Sequence, residues 1–408
     1  MEFLIESRTR RPSDDPIFSL NAEAVARQKK GESIINATLG AIMDDDGKLA
    51  VLPTVIDVIR AVPAAVEAGY APLAGPASFH EAVIADLLGG SPLAKQAIAV
   101  ATAGGTGALR HAITGFLDPR QALLTTSRYW SPYKTIADEN DRAVDTFEMF
   151  DASGELDVAA LEKKVDAHLQ KQGRVLLILN DPCQNPTGYS MHEQQWRAVV
   201  EVLEKASARG PVTLVLDIAY WLWGFHDPRA SLPWLEQLVG KVGLAFAWSA
   251  SKSFTQYGAR VGALVYVDPD ADRRKRTGAA LAYACRGTWS NCNAAGMAAI
   301  TQVLTDPALH AKVDAERQAL KGLLDGRVKA FNRIAGKTLS YPRYDGGFFT
   351  TVFTPSKSAE AAQRAAASMR EDGVFIVPIG DALRVALCSV AERDVPRVVD
   401  SLKRGLGL

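Results

Sequence analysis

Lys252 stands in the string SASKSFTQYGARVG, just after an apolar run and ahead of a polar, glycine-containing turn. A lysine amine at such a strand end points into a crevice, where partial desolvation lowers its basicity and lets it form a Schiff base with a carbonyl and later carry protons. Asp217 closes a second apolar run, VTLVLDI, and Tyr220 follows three residues on. An ionised carboxylate there can pair with a protonated ring nitrogen, and a phenol can hydrogen-bond a ring oxygen. The run ATAGGTGALRHAITGF reads as strand, glycine turn and helix start, so the backbone N–H groups of Gly105 and Thr106 face outward at a helix N-terminus as an anion site. Ser249, Ser251 and Arg260 flank Lys252 and add hydroxyl and guanidinium donors suited to a phosphate. Asn185, inside the proline-bounded turn NDPCQNPTG, offers an amide to a ring oxygen, and Trp130, in SRYWSPYK, an indole to stack on a ring.

Taken singly, each residue has an ordinary explanation: a surface lysine in an ion pair, a helix-capping aspartate, a turn asparagine, a core tryptophan. Together they are what a phosphorylated aromatic aldehyde, pyridoxal 5′-phosphate (PLP), requires: an amine for the aldehyde, a carboxylate for the ring nitrogen and an anion cradle for the phosphate.

The elements that must position these residues follow from the hydrophobic pattern. Short apolar runs at 98–103, 122–127, 174–180, 212–218, 244–251 and 261–267 alternate with amphipathic stretches such as VAALEKKVDAHLQKQ and EQQWRAVVEVLEKASAR. That alternation predicts an α/β unit with a mainly parallel sheet covered by helices on both faces. In such sheets ligands bind at the carboxyl ends of the strands. From Pro307 the chain reads as one long helix, then strand-like FFTTVF, a helix around EAAQRAAASMRED, and the strands FIVPI and LRVALCS, a smaller α+β unit. The expected division is a large domain over 46–305 and a small one over 1–45 and 306–408.

Composition narrows the function. The 408 residues carry 46 acidic and 46 basic side chains, a formal net charge of zero, which removes the electrostatic footprint of a nucleic-acid binder or an anionic-membrane binder. The dense basic clusters, Arg8, Arg10 and Arg11 and the run Arg273 to Arg276, read as solvated surface. Four cysteines without a CxxC pair or metal-like spacing favour reduced thiols, no metal site and a cytoplasmic protein. The N-terminal string lacks the apolar core of a signal peptide, and no apolar run approaches the roughly 20 residues a bilayer demands.

In their order along the chain these strings resemble the fold-type I PLP-dependent aminotransferases of class I, and within them the aspartate and aromatic amino-acid aminotransferases. The resemblance rests on the GGTGAL loop, a tryptophan after the next strand, NPTG, an aspartate with a tyrosine three residues later, SxSK, an arginine eight residues after the lysine and a late arginine in LRVALCS. It covers nearly the whole chain. It implies that Lys252 is the Schiff-base lysine and proton shuttle, Asp217 the pyridinium partner, and Tyr220 and Asn185 the contacts to the ring oxygen. Trp130 would stack on the ring, and Gly105, Thr106, Ser249, Ser251 and Arg260 would hold the phosphate. It implies further that Tyr70, in AGYAPLAG, reaches the phosphate of a neighbouring subunit in a homodimer with shared active sites.

By the same resemblance Arg384 clamps the substrate α-carboxylate and Gly40 lies on the substrate side. Arg286, in CRGTWSNCNAAG, matches the arginine that crosses the dimer to a distal carboxylate. Two departures stand out. Tyr133 occupies the place of a histidine behind the pyridine-partner aspartate, and Trp289 replaces a tyrosine near Arg286, with Cys292 and Asn293 in place of a proline pair. The expected activity is amino-group transfer between an L-amino acid (aspartate, glutamate or aromatic) and a 2-oxo acid such as 2-oxoglutarate. A PLP-dependent lyase, acting by β-elimination or decarboxylation on the same scaffold, is the alternative.

Overall fold

The computed structural model describes residues 3–9, 11–12 and 16–408; Arg10 of the first basic cluster lies outside them. Two compact units emerge. One comprises Ala50–Asp325 with Pro342–Phe348, the other Met1–Leu49, Gly326–Tyr341 and Phe349–Leu408.

The larger unit is built on a seven-stranded sheet: β1 (Ala97–Ala103), β2 (Ala122–Thr126), β3 (Ala143–Phe147), β4 (Val175–Asn180), β5 (Val212–Asp217), β6 (Gly243–Ser249) and β7 (Val261–Val267). Their order across the sheet is β1-β7-β6-β5-β4-β2-β3, and only β7 runs antiparallel to its neighbours. The sheet is therefore mainly parallel, as the apolar runs predict. Every residue of β4 and of β7 is buried, because helices cover both faces and leave no side for water. The strand β3, AVDTF, is the element the apolar criterion passes over: it lies at one of the sheet's two edges and only Phe147 in it is buried.

Sequence chemistry sets the helix ends. Val158–Gln172 begins where the Asp157 carboxylate accepts the Ala160 N–H and ends at Gly173 in the left-handed region, φ 74°. Its buried face is Leu161, Val165 and His168, spaced three and four apart. Because the parallel strands share one direction, their carboxyl ends lie on one edge of the sheet. From that edge β1 leads into helix α1 (Gly104–Phe116), β2 into the turn before α2 (Pro132–Glu139) and β6 into the single-turn helix α3 (Ala250–Ser253).

The smaller unit holds an antiparallel three-stranded sheet in the order Val377–Ile379, Ala382–Ala386, Phe349–Phe353, a short parallel pair of Ile35–Asn36 with Val374–Phe375, and helices including Ala359–Glu371 and Val395–Leu406. The run FIVPI is thus two short strands rather than one. The partition also departs from the division expected at residue 305. The long helix Pro307–Ala335 contributes its first part, to Asp325, to the larger unit. There Arg317 Nε donates to the Ser253 carbonyl at 2.7 Å, and Glu316 accepts the Thr54 hydroxyl at 2.6 Å. An uninterrupted helical pattern conceals where packing partners change, which is why the sequence places the boundary at the helix start.

Candidate active site

At the carboxyl edge of the large sheet lies a pocket of about 160 Å³. Its lining includes Gly105 and Thr106 from α1, Trp130 after β2, and Asn185 after β4. Asp217 ends β5, with Tyr220 just beyond, and Ser249, Ser251, Lys252 and Arg260 come from β6 and the turn that follows. Ten residues read from the sequence as cofactor contacts therefore converge on one cavity. Asn180, Leu109 and Ala219 also line it and were not singled out by sequence.

One end of the pocket is an anion cradle. Gly104 has φ +68°, and a Cβ there would fall 2.5 Å from the Arg260 guanidinium. The glycine thus lets arginine and helix N-terminus approach each other. Arg260 itself sits at φ 55°, a strained position for a side-chain-bearing residue. Its guanidinium donates to the carbonyls of Tyr257 (2.8 Å) and Ala103 (3.4 Å) and reaches the hydroxyls of Ser251 and Thr106 (3.5 Å each). Among the described residues it makes no ion pair, so its charge is available to an anion.

The other end is a buried carboxylate. Asp217 is 5 % exposed; its Oδ2 accepts the Tyr133 hydroxyl at 2.7 Å and its Oδ1 the Ala219 N–H at 3.2 Å. Burial pushes its carboxyl pKa up, against the opposing pull of those two hydrogen bonds and the nearby Lys252 charge. Asn180 ties the surroundings together: its Nδ2 donates to the Asp217 carbonyl and its Oδ1 accepts the Asn185 N–H, both at 2.7 Å. The Asn185 amide lies 3.5 Å from the Tyr220 hydroxyl, and the Lys252 amine 5.5 Å from the Tyr220 ring centre. Trp130 meets Tyr133 edge to face at 5.7 Å.

A buried carboxylate supplied only with neutral donors calls for a cation, and an unpaired arginine at a helix N-terminus calls for an anion. PLP presents a ring N–H⁺ and a phosphate, with its aldehyde for Lys252, so the residues present fit the group.

In the smaller unit Arg384 is 6 % exposed on strand Ala382–Ala386. Its Nη2 donates to the Thr38 carbonyl at 2.6 Å and its guanidinium lies 4.6 Å over the Phe349 ring. Gly40 packs on that same ring, where a Cβ would come within 2.5 Å of it. Neither Arg384 nor Gly40 lines the pocket, and two further residues of the sequence reading lie outside it as well. Tyr70 is 95 % exposed, and Arg286 ends the helix Ala271–Arg286 on the surface, donating to Ser290 Oγ at 2.6 Å. Trp289, the second departure, stacks on His111 of α1 at 4.6 Å.

The fold and the paired charge sites define a PLP enzyme of fold type I. Residues 33–402 match the family model for aminotransferases of class I and II, and the chain belongs to that family. Among its relatives, the aspartate aminotransferase of Pseudomonas aeruginosa is 29 % identical, the match covering 73 % of this chain and 74 % of the relative. The structure of an aminotransferase from Anaerococcus prevotii is 30 % identical with a TM-score of 0.91, covering 98 % of each chain. An aromatic-amino-acid aminotransferase from Burkholderia pseudomallei, covalently bound to PLP, shares the fold with a TM-score of 0.78 at 24 % identity, over 100 % of each chain. The relatives are named as aminotransferases, which favours transamination over the lyase alternative.

Proposed function

We propose that this PLP-dependent aminotransferase moves the amino group of aspartate, glutamate or an aromatic L-amino acid to a 2-oxo acid such as 2-oxoglutarate, in a two-stage exchange at one site. The observation that carries the reading is the convergence of Lys252, Asp217 and the Gly105, Thr106 and Arg260 cradle on a single pocket. The names carried by its relatives support the aspartate and aromatic substrate classes. Bound PLP supplies an aldehyde for the amino group and an electron-withdrawing ring that acidifies the substrate α-carbon.

The protein's own groups do the rest. Lys252 Nζ, free once the substrate amine has taken its place, would take the substrate α-proton and later give it back, so one amine would serve as base and then acid. Asp217 keeps the ring nitrogen protonated. Asn185 and Tyr220 offer hydrogen bonds to the ring oxygen, and the N–H groups at Gly105 and Thr106, with Ser249, Ser251 and Arg260, fix the phosphate. Arg384 presents a planar fork of donors to the substrate α-carboxylate, and Gly40 leaves room beside it.

A homodimer completes the proposal: exposed Tyr70 would reach a partner's phosphate, and exposed Arg286 a distal carboxylate in the partner's site. Four free, buried cysteines suit a reducing cytoplasm. No helix among the described residues is long and apolar enough to cross a membrane.

The test is the visible absorption of the PLP-loaded protein as single amino acids are added without any oxo acid. Conversion to the pyridoxamine form by aspartate, glutamate or phenylalanine, absent in Lys252→Ala, is the expected result. A spectrum that none of them shifts, or ammonia released with an oxo acid, would overturn it.

A further inference from the structure

Tyr133 is the buried titratable group closest to the chemistry that the mechanism above leaves without a task. It stands on α2, fully buried, with its ring clamped between an edge contact to Trp130 (5.7 Å, 87°) and a parallel contact to Tyr129 (6.2 Å, 10°). A ring so held fixes the direction of its hydroxyl, which ends 2.7 Å from Asp217 Oδ2. We propose that Tyr133 is a positioning residue, a non-titrating donor that keeps Asp217 charged and oriented and ties it to the Trp130 wall of the same pocket.

The proposal rests on the PLP reading and adds to it a source of pH independence. The titratable groups facing Asp217 are Tyr133 from α2, Tyr220 from the turn after β5 and Lys252 from α3; Asn180, from β4, bonds its carbonyl and carries no charge. No histidine lines the pocket. Burial alone drives Asp217 towards its protonated form, in which it could not serve a cationic ring. Of the two donors to its carboxylate, the Ala219 N–H is the longer contact at 3.2 Å. Burial and the adjacent carboxylate push the Tyr133 phenol well above its ordinary value, so its proton stays in place wherever the enzyme works. A phenol there gives one hydrogen bond and cannot take up charge; an imidazole would do both over neutral pH.

The experiment measures affinity of the apoprotein, by quenching of tryptophan fluorescence, for PLP and for its analogue with carbon in place of the ring nitrogen. If Tyr133 acts through Asp217 on that nitrogen, Tyr133→Phe weakens PLP by about ten- to a hundredfold, the range for a hydrogen bond to a charged group, and leaves the analogue unchanged. Tyr133→His, which retains a donor should the phenylalanine variant fail to fold, binds PLP near pH 6 and loses affinity between pH 6 and 8 relative to wild type measured at each pH, a ratio in which ionisation of the cofactor phosphate cancels. Equal weakening of both ligands, weakening of neither, or a Tyr133→His to wild-type ratio that stays flat overturns the proposal. Wild-type protein that binds no PLP would instead sink the cofactor reading.

Discussion

His111, on the helix whose first turn lines the pocket, ties stability to pH. It lies fully buried on α1, its Nε2 3.2 Å from Cys285 Sγ and its ring stacked on Trp289. Burial, with the neighbouring Arg110 charge, lowers its pKa to about 4. The unfolded chain, with an ordinary histidine pKa near 6.5, therefore binds the proton first as pH falls. The neutral-histidine contribution is complete above that value and is lost as pH drops from about 6.5 towards 4. Between pH 7 and pH 5 the wild type should lose about 2 kcal/mol more than His111→Gln in denaturant titrations. Parallel curves for the two proteins would show that the imidazole is not buried neutral. Asp181, raised to about 7 by burial, has the opposite slope, so the comparison must be made between variants rather than on wild type alone.

At the scale of elements, function depends on how closely α1 approaches the turn after α3. The left-handed Gly104 and the guanidinium that would meet its Cβ make this junction a single unit. Gly104→Ala adds about 1–2 kcal/mol of backbone strain and forces Arg260 away from the helix N-terminus. The variant should lose PLP on dialysis markedly faster than wild type while Lys252 still forms its cofactor bond. Unchanged retention of PLP would mean that the phosphate is held elsewhere. The pattern of sheet elements was legible because buried strands are apolar on both faces; β3 was not, since of its five residues only Phe147 is buried and the pattern AVDTF carries no apolar run.

For the whole molecule, the decisive question is whether two copies share each site. Tyr70 and Arg286 are exposed on the isolated chain. If each serves the partner, inactive Lys252→Ala and Arg286→Ala homodimers should regain activity towards a dicarboxylic substrate when unfolded, mixed and refolded. Random association makes half the dimers hybrid with one intact site in two, so about a quarter of wild-type activity returns. No recovery would place Arg286 in its own chain's chemistry or outside it altogether.

The sequence by itself determined the fold class and singled out Lys252 and most of the residues that line the pocket, because strand ends, a glycine turn before a helix and a lysine between serines are local features written in consecutive residues. It also singled out Arg384 and Gly40, through family order rather than local pattern. Only the tertiary structure showed Asn180, which joins Asn185 to Asp217, and the hydrogen bond by which Tyr133, placed behind Asp217 by resemblance alone, reaches it from 84 residues away in sequence. Likewise it moved the domain boundary into the middle of a continuous helix. Hydrogen bonds and packing between distant segments depend on which strands become neighbours, and the order β5-β4-β2, which brings α2 behind Asp217, is a property of the assembled sheet.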